Sequence, residues 1–394
     1  MSEQAMTSPN KHPQGPLLVV GSGLAGWSVV REFRKLDTQT PVLMITADVG
    51  DFYAKPALSN ALAQNKAPAQ LVTTPAERMV STLGVTLLQR TAVTSIDVQT
   101  QEVHTSKGTF GYRQLVLATG AQAIRLPLAG DAAQAVMSVN SLADYAAFRA
   151  QLKPQSRVLI MGAGLIGCEF ANDLALGEHM VQVVDPGASP LAALLPEPAS
   201  AQLRQALTDL GVNWHWQTTV QAVHRQDNAY AVQLANGQEL IVDVVLSSVG
   251  LRADTALAQS AGIATDRGVL VDAHLKTNAE HVYALGDNTQ YASASVGGVA
   301  RTLPFVMPIM NAAKALAQTL AGNPTAVVFP LMPVAVKTPA LPLVVSPPAP
   351  ATQGTWQAAH EGIWHFVSDG KVRGFVLVGA QTSRRAEQSK LVLV

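Results

Sequence analysis

The sequence predicts an α/β fold: two Rossmann-like dinucleotide-binding domains with a small α+β C-terminal domain. Two observations carry this. A GxGxxG pattern occurs twice, at Gly21-Ser22-Gly23-Leu24-Ala25-Gly26 and at Gly162-Ala163-Gly164-Leu165-Ile166-Gly167. Each copy follows an apolar strand and opens a helical stretch, as a phosphate-binding turn requires. The composition agrees: 394 residues, 48% hydrophobic and 14% charged, with 27 basic residues against 27 acidic ones. Such a chain has room for two or more domains and for a sizeable core. It is too apolar and too balanced in charge to be disordered. It lacks the basic excess of a nucleic-acid binder, so no nucleic-acid partner is expected. Its one cysteine, Cys168, excludes a disulfide framework and a cysteine-rich metal site, and no metal is expected.

Taken in order, residues 1–14 are polar and read as a flexible tail. The tail lacks the basic start and apolar run of a signal peptide. Nowhere do 18 apolar residues run together, so neither membrane insertion nor export is expected and a cytoplasmic location is the default. An apolar strand at Leu17–Val20 leads into the first glycine motif, a helix over residues 27–36 follows, and a second strand comes at Val42–Ile45. This is one βαβ unit. Residues 115–117 form a strand ending in Ala118-Thr119-Gly120. The second unit repeats the first: a strand over 158–161, the glycine motif, a helix to about residue 176, a strand over 181–184, then Asp185. Residues 245–249 read as a strand leading into Gly250, and Val282-Tyr283-Ala284-Leu285 as one ending in Gly286-Asp287. Residues 288–302 read as an exposed loop, 303–313 as a loop entering a helix, and the proline-rich stretch 330–350 as irregular. Strands over 363–367 and 372–377 flank a turn at Ser368-Asp369-Gly370-Lys371.

The glycines have separate tasks. The first makes the tight turn, the second lets the backbone approach a pyrophosphate, and the third lets helix and strand pack closely. The helix start then offers orphan N–H groups and a positive dipole end to the phosphates. Gly21, Gly23 and Gly26, and Gly162, Gly164 and Gly167, are therefore candidate dinucleotide contacts. An acidic residue follows each motif at near the expected distance, Asp48 and Asp185. Asp185 ends its strand, where a carboxylate accepts from a free ribose 2′-OH and repels a 2′-phosphate. No arginine follows in Pro186-Gly187-Ala188-Ser189, so NADH is favoured over NADPH. Asp48 lies three residues beyond its strand, and both a ribose contact and a solvated turn residue remain open for it.

The four signatures in this order, two glycine motifs, Ala118-Thr119-Gly120 and Gly286-Asp287, resemble the flavoproteins with two dinucleotide-binding domains. The resemblance implies FAD at the first motif and NADH at the second. It also implies an Asp287 hydrogen bond to the flavin ribityl chain, backbone approach to the pyrophosphate at Gly286, and cofactor contacts at Thr119, Gly120 and Gly250. It divides the chain into an FAD domain over 15–125 and 245–322, an NADH domain over 126–244 and a C-terminal domain over 323–394. The disulfide reductases of this group carry a Cys-x4-Cys pair soon after the first motif, and its peroxidases a single cysteine near Ser59. Neither is present. Cys168 reads as a small helix residue packed on the sheet. A flavin without a protein thiol must pass its electrons to an outside acceptor.

Phe52-Tyr53-Ala54-Lys55-Pro56-Ala57-Leu58-Ser59 is similar to the Lys-Pro-x-Leu-Ser segment of NADH-dependent reductases that serve rubredoxin and ferredoxins. In them the lysine sits near flavin N5 and pairs with a glutamate of the NADH-motif helix, which here would be Glu169. A desolvated ammonium needs such a partner. The segments over residues 303–313 and 337–343 are similar to those of the rubredoxin reductases. Carried over residue by residue, the resemblance implies FAD contacts at Ser22, Gly23, Leu24, Ala25, Thr46, Ala47, Lys55 with Pro56, Val93 through its backbone, Glu169, Asp287, Val306 and Lys337. The implied partner is rubredoxin or a similar small acidic iron protein, met by a local basic patch. Two rivals stay open: a ferredoxin reductase of a dioxygenase system, and a redox-switched FAD protein resembling apoptosis-inducing factor. Oligomeric state is undetermined by sequence.

Overall fold

The structure is a computed structural model and describes residues 10–393. Chain contacts divide the described residues into two units, residues 10–54, 72–122 and 252–330, and residues 55–71, 123–251 and 331–393.

The first unit is built on a five-stranded parallel sheet. Its strands, in spatial order, are Val282–Ala284, Gln114–Leu117, Leu17–Val20, Val42–Ile45 and Thr86–Leu88. The expected strand Leu17–Val20 lies at the centre and is buried at every residue, as a parallel sheet covered on both faces demands. The chain builds outward from it to Val42–Ile45 on one side and to Gln114–Leu117 on the other. In open sheets of this kind ligand crevices lie at the carboxyl ends of the strands, at such a switch point. Gly21 and Gly120 lie there. The first helix runs Leu24–Arg34, three residues earlier than the apolar spacing predicted, because the helix begins inside the glycine motif. The helix Val306–Leu320 shares one apolar core with it.

Residues 288–302 are only in part the exposed loop that the sequence suggested, with Ser293, Gly297 and Gly298 exposed. They form strands Thr289–Tyr291 and Arg301–Thr302 around a short helix, Ser293–Val296. Asn288, Thr289 and Tyr291 are fully buried. The first residues of the stretch are held internally: Asn288 Nδ2 donates to Leu117 O at 3.1 Å, and Tyr291 Oη accepts from Gly286 N at 3.0 Å. The tail expected over residues 1–14 lies outside the described residues as far as residue 9. Its remainder is fastened. Asn10 Nδ2 donates to Arg113 O at 2.9 Å, Lys11 N donates to Gln101, and a His12 ring nitrogen meets Thr100 O at 3.1 Å.

The second unit has a four-stranded parallel sheet in the order Asn213–Trp216, Met180–Asp185, Arg157–Met161, Val244–Ser247. The helix Leu165–Leu176 packs against it, with seven consecutive buried residues from Gly167 to Asp173 followed by buried Leu174. A three-stranded antiparallel meander, Val220–Gln226, Ala229–Leu234 and Glu239–Val242, carries a separate apolar cluster. The C-terminal part is an antiparallel sheet of five strands, Val334–Val336, Leu343–Ser346, Lys371–Val378, Ile363–Ser368 and Thr355–His360 in spatial order. Two of them occupy the proline-rich stretch expected to be irregular. The prolines fall between the strands, where no ladder N–H is needed. Val336, Leu343, Val345 and Val376 join the same core as Cys168, Phe170 and Leu174 of the helix. Among the described residues no helix is long and apolar enough to cross a membrane.

Candidate functional site: two dinucleotide loops and a lysine–glutamate cluster

In the first unit the glycine loop has the stereochemistry its sequence implies. Gly21 has φ +105° and approaches the backbone so closely that a Cβ would meet Ala118 O at 2.2 Å. A Cβ on Gly26 would lie 2.0 Å from Gly21 O, whereas one on Gly23 would meet nothing within 4 Å. Gly23 therefore faces open space, and Gly26 is the close-packing glycine. The helix Leu24–Arg34 starts without a side-chain cap and without an acidic residue in its first turn. Its orphan N–H groups are left for an anion. Buried Ser22 donates from Oγ to Thr46 Oγ1 at 2.9 Å, which ties the loop to the end of the next strand. Thr46 O accepts from Thr91 N, so the chain entering Val93–Asp97 is fixed beside it. Ala47 and Asp48 are exposed, and the Asp48 carboxylate accepts from Val49 N at 2.6 Å. Thr119 Oγ1 donates to Asp254 O at 2.9 Å, and Gly120 takes φ +75°. Gly286 has φ +95°, with its Cβ position 2.8 Å from the Ala25 side chain, and half-buried Asp287 follows it. Val306 opens its helix with no side-chain cap before it and is 37% exposed. These features fit a pyrophosphate-bearing cofactor: two glycines that no larger residue could replace, and two uncapped helix starts.

The second unit repeats the loop. Gly162 has φ +101°, and a Cβ on Gly167 would lie 1.9 Å from Gly162 O, while Gly164 has open space. The helix Leu165–Leu176 again has no side-chain cap. Asp185 is half-buried. Its two oxygens accept from Ala163 N and Gly187 N, each at 2.7 Å. A carboxylate has about four acceptor positions, so the pair of bonds leaves capacity for a ribose hydroxyl. Gly250 is exposed with φ +109°, and its carbonyl accepts from Ile124 N.

Beyond the loop, the same helix grips two distant segments. Glu169 is 3% exposed. It accepts from Ser59 Oγ at 2.6 Å and from Lys337 N at 3.0 Å, and it forms an ion pair with Lys337 Nζ. Lys55 instead donates to Asn140 Oδ1 at 3.1 Å. The expected Lys55–Glu169 pair is thus replaced by Lys337–Glu169, because the backbone amide of Lys337 docks on one carboxylate oxygen and brings its own ammonium to the other. Pro56 sits in the short helical turn Lys55–Ser59 that carries Lys55 and Ser59 together. One helical step on, Asn172 Oδ1 accepts from Ala340 N at 3.0 Å, and Asp173 accepts from Leu62 N at 2.9 Å and Ala63 N at 3.0 Å. Burial pushes the Asp173 carboxyl above its usual range, and those backbone donors pull it part of the way back. Ser59, Asn140, Asn172 and Asp173 were missed from sequence. The signal lay in Glu169, Asn172 and Asp173 recurring at i, i+3 and i+4 on an otherwise apolar helix.

Cys168 is fully buried. Its Sγ sits 3.3 Å from Ala163 O, and burial pushes its thiol far above the ordinary range. It supplies no thiolate nucleophile. Iodoacetamide at neutral pH is therefore expected to leave the native protein unlabelled and fully active. Labelling should appear only on denaturation, as read by mass spectrometry.

The family described as pyridine nucleotide-disulphide oxidoreductase matches residues 15–318, and the one described as rubredoxin binding C-terminal domain matches residues 326–391. The chain is 43% identical over 380 residues to a rubredoxin-NAD(+) reductase of Alcanivorax borkumensis, covering 95% of this chain and 98% of that one. The chain belongs to the pyridine nucleotide-disulphide oxidoreductases. A second member of that family, a rubredoxin-NAD(+) reductase of Acinetobacter baylyi, is 44% identical over 390 residues, 96% of this chain and 98% of its own length. The fold of this oxidoreductase also matches the solved covalent putidaredoxin reductase–putidaredoxin complex, with a TM-score of 0.87 and 22% identity, covering 96% and 93% of the two chains. The family name refers to a redox disulfide that this member cannot form, since Cys168 is its one cysteine.

Proposed function

We propose that this chain is an FAD-dependent NADH:rubredoxin oxidoreductase that reduces rubredoxin, or a similar small acidic iron protein, one electron at a time. The observation that carries this reading is the rubredoxin-binding match over residues 326–391, on a chain whose glycine loops suit two dinucleotides. The cofactors supply hydride transfer from NADH and its conversion to single electrons. The protein supplies binding, orientation and charge. Gly21, Ser22, Gly23, Leu24, Ala25 and Gly26 hold the FAD pyrophosphate with backbone N–H groups. Gly162, Gly164 and Gly167 do the same for NADH. Asp287 holds the ribityl chain, and Thr46, Ala47 and the Val93 backbone bound the adenosine. Lys55 is assigned to offset negative charge on the reduced flavin, and Glu169 and Lys337 to hold the segments that present it. Hydride transfer needs no protein acid or nucleophile, so the site contributes through preorganisation. A cytoplasmic location suits a reductase fed by NADH.

The test is steady-state NADH oxidation by the FAD-loaded protein with rubredoxin and a plant-type ferredoxin as separate acceptors. A rubredoxin rate far above the ferredoxin rate and above oxygen turnover is expected. Equal or better turnover with ferredoxin would reject the assignment of the partner.

Asp185 sets the choice of nicotinamide. Asp185→Ala removes both the ribose acceptor and the charge that repels a 2′-phosphate. KM for NADH should rise roughly tenfold, about 1.4 kcal/mol, and the NADPH/NADH ratio of kcat/KM should rise with it. An unchanged ratio would remove Asp185 from the ribose site.

A further inference from the structure

The strand Asn213–Trp216 lies at the edge of the second unit's parallel sheet, beside Met180–Asp185. In their parallel register Trp216 is the direct neighbour of Asp185. Paired residues of adjacent strands share a sheet face, so the indole and the ribose-selecting carboxylate stand side by side at the carboxyl ends of two strands. The chain on either side of this pair is tied together: Gln217 N donates to Gly187 O at 3.0 Å, and Thr218 N to Asp185 O at 3.3 Å. Trp214 stacks on Trp216, with ring centroids 4.8 Å apart and planes 11° from parallel. Trp214 is anchored, its Nε1 donating to Thr208 Oγ1 at 3.0 Å. Trp216 Nε1 makes no hydrogen bond among the described residues, and its side chain is only partly buried. His215 points to the opposite face, its ring between Gln182 and Gln238. One indole is therefore a fixed backing and the other a rigid, half-open aromatic surface next to Asp185.

We propose that Trp216 is the stacking surface for the adenine ring of NADH, backed by Trp214. The assignment rests on NADH binding at Gly162–Gly167, as argued above. A dinucleotide whose pyrophosphate lies on the loop after Arg157–Met161 and whose ribose reaches Asp185 carries its adenine past the end of Met180–Asp185, where the flanking strand on the side away from the loop is Asn213–Trp216. Stacking of a base on an aromatic side chain is sequence-tolerant and strong. The same surface accepts any adenosine diphosphate with a free 2′-hydroxyl.

The FAD-loaded protein and its Trp216→Ala and Trp216→Phe variants are titrated with ADP-ribose, which carries the adenine and no nicotinamide, and affinity is read by calorimetry. Trp216→Ala should weaken ADP-ribose about tenfold or more, and Trp216→Phe should retain most of the affinity. Flavin reduction by reduced nicotinamide mononucleotide, which lacks adenine, should proceed at the wild-type rate in both variants. Unchanged ADP-ribose affinity in Trp216→Ala overturns the proposal and leaves the NADH site standing. So does an equal loss with the mononucleotide, which would mark a general structural defect. A wild-type protein that binds neither NADH nor ADP-ribose would overturn the NADH assignment itself, and the proposal with it.

Discussion

Gly26→Ala is expected to purify as a colourless apoprotein. The added Cβ would stand 2.0 Å from Gly21 O, a backbone atom that cannot swing away. The helix Leu24–Arg34 must then withdraw from the strand Leu17–Val20, and the loop between them opens. Overpacking of this kind costs about 1–3 kcal/mol in ordinary cores. Gly23→Ala is the informative contrast. Its Cβ has nothing within 4 Å in the protein itself, so with FAD stripped from both proteins the variant should unfold at the wild-type midpoint. The methyl would instead occupy the ground that a pyrophosphate needs, and FAD retention should fall as well. Flavin absorbance per protein and the unfolding midpoint separate the two cases. A yellow Gly26→Ala protein with a wild-type midpoint would contradict this role for the loop.

The second large effect centres on Glu169. Removing one member of a buried ion pair leaves the other uncompensated, at about 3–5 kcal/mol. Lys337 keeps some access to water, with 27% of its side chain exposed, so Glu169→Ala should cost nearer the lower figure. The same change frees Ser59 Oγ and Lys337 N, which loosens both segments that meet at this carboxylate. Glu169→Gln keeps one acceptor and should fall between. Glu169→Gln with Lys337→Met removes the stranded charge and should regain much of the stability lost by Glu169→Ala. Denaturant midpoints read all three. If the double variant is the least stable of the set, the ion pair is not what holds these segments.

The two sheets and their glycine loops were legible in the sequence because their signals are local. Leu17–Val20 and Val42–Ile45 appear with the bounds predicted from apolar runs. Helix starts were less legible, since the apolar spacing of the first helix begins at Trp27 while its backbone turns at Leu24. The stretch 288–302 was legible only in part, for a physical reason. Ser293, Gly297 and Gly298 are exposed as their small size suggests, yet Asn288 and Tyr291 spend their polar atoms on the main chain inside a core. The lysine pairing was beyond sequence because two lysines compete for one carboxylate, and the backbone amide of Lys337 decides between them. No periodicity encodes that meeting, for its members come from residues 59, 169 and 337.

The helix Leu165–Leu176 carries the second glycine loop at its start and, within about two further turns, the acceptors for Leu62 N, Ala63 N, Lys337 N and Ala340 N. Those four amides are remote along the chain, but each is protected from solvent deuterium only while this one helix is in place. They are expected to open as a single cooperative unit. Their exchange rates should move together, and a ligand that steadies the start of the helix should slow all four at once, including amides it never touches.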